Sequence, residues 1–571
     1  MLPVTSSRHG APLLALLLLS SAAFAGSEPL VFANGFEAVQ NTACVEKSVQ
    51  SSFNFPSANG QTAGALVTSA CLRLVDIAGT LTLDEPYRGA QFRINGGDWV
   101  DPPITVANND EVEIRANAPG VIDDTNWVYL YDGGNAIADF LIRTRNDERA
   151  PMTLQVGPGR TYTELTQVAD LLRAGDIVEV DGNHSYAPVE FQRAGLPASP
   201  ITIRGIRVSG QRPEIAGGTI TVSFRGAHHY VFENIDVTGG SEVCVRNEAN
   251  DVTIRDSHVH DCTRHGILGA DNYSGSLTID RVEVDHAGGV FNGENLKHPI
   301  YIATDRDRYP GSRLRVQHSY IHDYGGNGIK SRSERDEIYY NWIDTGTRIN
   351  GDVYYTIELN GYEEYESVPG INVDVVGNVL VHRNVYGVRL GGDGTGNLRG
   401  RVRFVHNTLI VGPSFDQYTP LIRWFDSLES AYLANNVFAR IGGDTAPLRI
   451  QRDDAAWVNG SIAVAGTNNW VPSGSDSIAA GYFPDDWTGT VFGSSNPGYA
   501  NLSGFDSLNL TVQAASDIDG AAGSDLDGPS GYEISNPMAP LDFIAPATAP
   551  VSGSPLSATP RVGPADNIGA R

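Results

Sequence analysis

The sequence predicts an all-β chain, the larger part a right-handed parallel β-helix (a solenoid) preceded by a small β-sandwich module. Three observations predict it. A strand-turn unit recurs along the middle of the chain at roughly 22–37-residue spacing, the mark of stacked rungs with insertions in one loop. Each unit carries a second short strand with an aliphatic residue at a fixed place. Asparagine recurs in the units at what reads as one register position, Asn234, Asn341, Asn378, Asn407 and Asn436.

The chain has 571 residues, room for a long solenoid and something smaller. Residues 1–25 read as a signal peptide. Arg8 and His9 give a basic start, Leu13 to Leu19 an apolar run, and Ala23-Phe24-Ala25 a small-x-small cleavage site. The apolar run is shorter than the ~20 residues that span a bilayer. The mature chain is therefore expected to be secreted or periplasmic, with no membrane partner. Cys44, Cys71, Cys244 and Cys262 suit disulfides in an oxidising compartment, and proximity in sequence favours Cys44–Cys71 and Cys244–Cys262. A formal charge of -27 argues against nucleic acid as a partner. A local basic patch could still hold a polyanion.

Residues 26–41 read as a spacer and 42–147 as the sandwich. Runs such as Trp127-Val128-Tyr129-Leu130-Tyr131 alternate with Gly-Gly, Asn-Asn and Asp-Asp turns. A linker follows, and 152–545 is assigned to the solenoid. Thr163 to Leu172 predicts a short amphipathic helix, with Thr163 as its N-cap, plugging the open first rung. Residues 546–571, rich in Pro, Gly and Ser toward the end, read as a C-terminal strap.

The units open with strands such as Val252-Thr253-Ile254, Leu314-Arg315-Val316 and Phe404-Val405-His406. In the second strands, Val245, Ile267, Ile300, Ile329, Ile357, Val388 and Ile422 should point inward. Their followers then point outward, because strand side chains alternate. That gives an exposed column of Arg246, Leu268, Tyr301, Lys330, Glu358, Arg389 and Arg423, with Ala303, Arg332 and Asn360 two residues further on. The asparagine ladder, by contrast, reads as structural.

Within the column Lys330 is the informative residue. Only Lys47, Lys297 and Lys330 occur beside 37 arginines, and lysine, unlike arginine, loses its proton when neighbouring cations disfavour its charge. Arg332 and Arg389 are expected to provide those cations. Tyr301 could donate a proton to a leaving oxygen, and His298 could orient or replace the base. Between residues 297 and 335 the basic residues outnumber the acidic ones, eight to four. That suggests a basic groove, with Arg306, Arg308, Glu358, Asn360 and Arg423 meeting an anionic polysaccharide.

Several segments carry a family resemblance. The module, through Tyr87–Val100, Asn108–Val112 and Phe140–Thr144, resembles immunoglobulin-like accessory modules of bacterial exported proteins. From Val156-Gly157-Pro158-Gly159 with Tyr162, through Gly175-Asp176 and Pro200–Ile203, the chain resembles the pectate-lyase-like β-helix superfamily. Lys330-Ser331 followed by Asn341 resembles the Lys-Ser…Asn segment of the alginate lyase and chondroitinase B group of polysaccharide lyases. The resemblance implies that Lys330 is the base of a β-elimination, assisted by an arginine on the following rung. Here that rung carries Glu358, and the arginine comes one rung later as Arg389.

The expected function is thus a secreted lyase acting on a uronic-acid-containing polysaccharide, as a monomer. The uronate carboxylate must be neutralised as its C5 proton leaves, by Arg332 and Arg389 or by Ca²⁺ held at Glu358. No other cofactor is called for. A hydrolase of the same fold would need paired carboxylates, for which Glu358, Asp352 and Asp393 are available. A C5-epimerase or a carbohydrate-binding adhesin would share the scaffold.

Overall fold

Short β-branched and aliphatic runs separated by tight turns leave each strand too small to fold alone, so the rungs stack and bury one another's apolar side. In the computed structural model three parallel sheets result. The first holds thirteen strands, from Thr153–Val156 to Trp487–Thr488. The second holds twelve, from Ser185–Tyr186 to Val491–Gly493. The third holds nine, from Val189–Phe191 to Ile422–Trp424. Every ladder within them is parallel, as in a right-handed parallel β-helix. The structure describes residues 44–571, apart from 51–52, 148, 270–271, 290–296, 347–353, 363–367, 369–370, 384–386, 394–395, 414, 416–418, 425–426, 444–445, 452–461, 478–482, 485–486 and 535. The signal-peptide and spacer assignments, and Asp352, lie outside the described residues.

The corner between the first and second sheets is a single left-handed residue, for example Arg281 (φ 53°), His318 (φ 51°), Tyr340 (φ 56°) and His406 (φ 54°). One such residue turns the chain without breaking either ladder. The next position carries the asparagine ladder. Asn341, Asn378, Asn407 and Asn436 each donate a backbone N–H to the Oδ1 of the next asparagine at 2.9–3.0 Å, ending on Asn469. Asn234 does not belong to it: it occupies the left-handed corner itself (φ 57°), one residue early, a position that favours Asn for its tolerance of positive φ. Asn469 was the member missed. Asn407→Ala would strand the buried Asn378 donors, and a loss of about 2 kcal/mol or more in a urea melt is expected.

The interior is lined by aliphatic side chains. Val222, Val245, Ile267, Ile300, Ile329, Ile357, Val388 and Ile422 form one fully buried column of the third sheet. The first rung is plugged, as the apolar spacing required, but by two 3-10 turns, Leu165–Gln167 and Ala169–Leu171, rather than an α-helix. The cap is Glu164 in place of Thr163, and Gln167 Oε1 accepts the N–H groups of both, at 3.1 and 2.7 Å. Leu165, Val168, Ala169 and Leu172 join the solenoid core.

At the far end the stacked sheets stop at Gly493, short of the expected 545. From Tyr499 on the chain is a strap along the outside of the coil. It buries Leu508, Leu510, Ile518 and Ile568 against Trp342, Val379, Ile410 and Trp470, outward residues of the second sheet. These are apolar where a solvated face would be polar, which is the signal that they are covered.

The module packs as a sandwich around Phe55, Leu74, Phe92, Val112, Ile114, Leu130 and Phe140. Cys44–Cys71 joins two of its segments, and Cys244–Cys262 ties one solenoid rung to the next. Arg143 fixes the module to the coil by donating to Gly226 O and Gln192 O at 2.5 and 2.7 Å. Arg308 makes a two-pronged pair with Asp139 of the module, both contacts 2.7 Å. Arg308 is thus buried at an internal junction and cannot meet a substrate as expected.

Candidate active site

Register sets the column. Along the third sheet Leu268, Tyr301, Lys330, Glu358, Arg389 and Arg423 lie side by side as Cα partners. Arg332 pairs with Ala303, and Asn360 follows Leu359 in the next rung. Strand alternation does place the Lys330 amine outside the coil, and its neighbours differ from those expected. Its Nζ lies 3.1 Å from Glu358 Oε2 and 3.1 Å from Asp393 Oδ2. It also sits 5.5 Å from the Tyr301 ring centre. The Lys330 side chain is only about a tenth exposed, held in ion pairs and not standing in an open cleft among cations.

Asp393 organises one side. Its Oδ2 accepts from Lys330 Nζ, from Arg332 Nη2 at 2.6 Å and from Asn360 Nδ2 at 3.2 Å. Arg332 also donates through Nη1 to Gly361 O at 2.6 Å and through Nε to Tyr301 Oη at 3.2 Å. Burial works against the Arg332 charge, but Tyr301 and Asp393 hold its guanidinium above the ordinary arginine value. Glu358 organises the other side, accepting from Asn327 and Arg389 besides Lys330. Arg389 lies over the Tyr355 ring at 4.5 Å. A calcium ion does not fit at Glu358, because both of its oxygens already face cationic or N–H donors.

His298 is 2% exposed, edge-on to Tyr301, with ring centres 5.6 Å apart. Its Nδ1 accepts the Asn327 N–H at 2.9 Å. Burial, then the Lys330 charge, pushes its pKa well below the usual histidine range. It is a neutral prop behind Tyr301 and does not reach the open side, which corrects its placement as a reacting group. His265 stands behind it, its Nδ1 accepting the His298 backbone N–H at 3.2 Å.

The basic groove dissolves into ion pairs on different faces. Arg313, Arg315 and Arg335 converge on Glu337 of the first sheet, and Arg306 pairs with Glu334 at 3.0 Å. Counting charges along the sequence could not separate the faces. The residues missed are Asn327, Tyr355 and Tyr362, whose ring lies 5.4 Å from the Arg332 guanidinium. They lie in turns and loops outside the strand period, although Asp393, in the Gly-Gly-Asp-Gly turn after Leu390, was flagged as a nearby carboxylate.

Fold and site together define a parallel β-helix protein with a charged cluster flanked by aromatic rings on its third sheet. No protein-family model and no curated protein matches the sequence. Among solved structures, the chain is similar to pectate lyase Pel9A at 12% identity and a TM-score of 0.46, covering 68% of this chain and 96% of that one. An alginate lyase from Paenibacillus sp. str. FPU-7 is 16% identical with a TM-score of 0.38, covering 52% and 97%. Pectin methylesterase from carrot is 10% identical with a TM-score of 0.28, covering 60% and 98%.

Proposed function

We propose that the chain is an exported polysaccharide lyase that cleaves a uronic-acid-containing polymer by β-elimination. One observation carries the reading. A single carboxylate oxygen, Asp393 Oδ2, is gripped by Lys330, Arg332 and Asn360 at 2.6–3.2 Å. Those three donors form a receptor for a carboxylate, and the protein's own aspartate fills it where a uronate would sit.

In this reading the substrate carboxylate displaces Asp393 and takes up Arg332 and Asn360. Lys330 removes the C5 proton. The electron pair forms the C4–C5 double bond as the C4–O bond breaks, and Tyr301 gives its proton to the departing oxygen. Arg332 and Arg389 offset the charge that builds on the carboxylate. The two disulfides suit an oxidising compartment.

A specific observation also favours a glycoside hydrolase. Glu358 and Asp393 both touch the Lys330 amine at 3.1 Å, so those two oxygens are at most twice that, 6.2 Å, apart, within range of a retaining carboxylate pair at ~5–5.5 Å. Asp393→Asn separates the readings. As a substrate mimic, its replacement lowers KM for a uronate polymer and keeps turnover, read as ultraviolet absorbance of the unsaturated product. As a hydrolase carboxylate, its replacement abolishes release of reducing ends, and wild-type protein gives no such absorbance.

A further inference from the structure

On the opposite flank, the outer face of the second sheet carries a cluster that the proposed reaction does not use. Its strands His258–His260, Glu283–Asp285 and Tyr320–His322 are consecutive rungs. Register places His258, Glu283 and Tyr320 in one column and His260, Asp285 and His322 in the next. The two histidines therefore flank the two carboxylates, one from the rung before and one from the rung after. His258 Nε2 is 2.9 Å from Asp285 Oδ2 and 3.9 Å from Glu283 Oε1. His322 Nε2 is 3.0 Å from that same Glu283 oxygen and 3.4 Å from that same Asp285 oxygen.

We propose that His258, Glu283, Asp285 and His322 bind one divalent transition-metal ion of the zinc type. A tetrahedral site with bonds of ~2.0–2.1 Å has its donor atoms about 3.3 Å apart, and the four measured separations bracket that value. Two imidazole nitrogens with two carboxylate oxygens suit zinc better than calcium, which takes oxygen ligands.

The surroundings point the same way. His322 Nδ1 faces Asp323 Oδ2 at 2.9 Å, and His286 Nδ1 faces the other Asp285 oxygen at 2.6 Å. His322 and Asp285 are thus held from behind, leaving an inner atom of each for the shared centre, as second-layer partners do in metal sites. Tyr320 stacks on the His322 ring at 3.9 Å and fixes its plane. The site is nearly closed, with Glu283 and Asp285 side chains 3% and 6% exposed. The strap seals it, Gly553 N–H donating to Glu283 Oε2 at 2.8 Å. A metal here would anchor the strap to the coil.

The test uses the full mature chain, stripped with a chelator and titrated with Zn²⁺ by calorimetry, with elemental analysis of the dialysed product. One tightly held zinc per chain is expected, with a rise in Tm and slower proteolysis of the strap. His258→Ala with His322→Ala is expected to weaken binding at least 100-fold, and His322→Gln to weaken it 10- to 100-fold while far-ultraviolet circular dichroism stays unchanged. Cobalt in place of zinc should give the strong visible bands of a four-coordinate site. Wild-type protein that takes up no zinc beyond the level of the double variant, or zinc uptake that the variants leave intact, would overturn the proposal.

Discussion

Lys330→Ala is expected to lower turnover of a uronate polymer about 10³-fold, the usual worth of a general base, with little change in global stability. The amine touches both carboxylates and stands beside Tyr301. Its removal also releases Asp393 and Glu358 from a shared cation. Both keep an arginine partner, Arg332 for Asp393 and Arg389 for Glu358, so neither is left buried without compensation. Turnover by ultraviolet absorbance, beside a thermal melt, separates lost chemistry from lost folding. Full activity in a folded Lys330→Ala protein would remove the amine from the reaction. Lys330→Arg should not rescue, because arginine keeps its proton.

Asp336→Asn is expected to stabilise the protein at pH 8 by up to about 4 kcal/mol. Asp336 is paired in register with Leu314 and Val373, inward positions of the first sheet, and is 2% exposed. Its Oδ1 has no hydrogen-bond partner among the described residues. Burial pushes its pKa to about 7, against a smaller opposing pull from Ser331. The gap between about 7 and the ordinary 3.8 is worth about 4 kcal/mol. The sign follows from proton binding. Between pH 4 and 7 the folded chain keeps this proton and the unfolded chain does not, so stability falls as pH rises through that window and is flat above it. Urea melts at pH 5 and pH 8 should show the wild type weaker at the higher pH by about 2–3 kcal/mol on this account, and the Asn variant without that difference. An equal pH dependence in both proteins would show that Asp336 is not the cause. An aspartate this costly, directly behind the Lys330 strand through Ser331, marks a place where stability has been given up.

The repeat, the inward aliphatic column and the order of the outward one were legible in the sequence, because a strand alternates its faces with a period of two and the unit fixes where each strand starts. Lys330, Glu358, Arg389 and Arg423 fall where that alternation puts them. Asn234 was misplaced because corner and ladder positions are adjacent and both accept asparagine, and only the backbone angle separates them. Arg308 looked like a groove residue because local charge says nothing about a partner 169 residues away, Asp139. His298 looked reactive because its burial comes from neighbouring rungs. The His258, Glu283, Asp285 and His322 cluster left no motif, since its members span three rungs with an insertion between them.

By itself, then, the amino-acid sequence determined the coil, its inward aliphatic column and which side chains share the outward column, all consequences of short-range alternation and stacking. Only the tertiary structure decided what those side chains face. Loops and the strap, which follow no period, bring Asp393 onto the Lys330 amine, Asp139 onto Arg308 and Gly553 onto Glu283, and such contacts set the charge environment of each group. Chemistry in a solenoid depends on that environment, because a side chain's direction comes from its own strand while its partners come from wherever the chain returns.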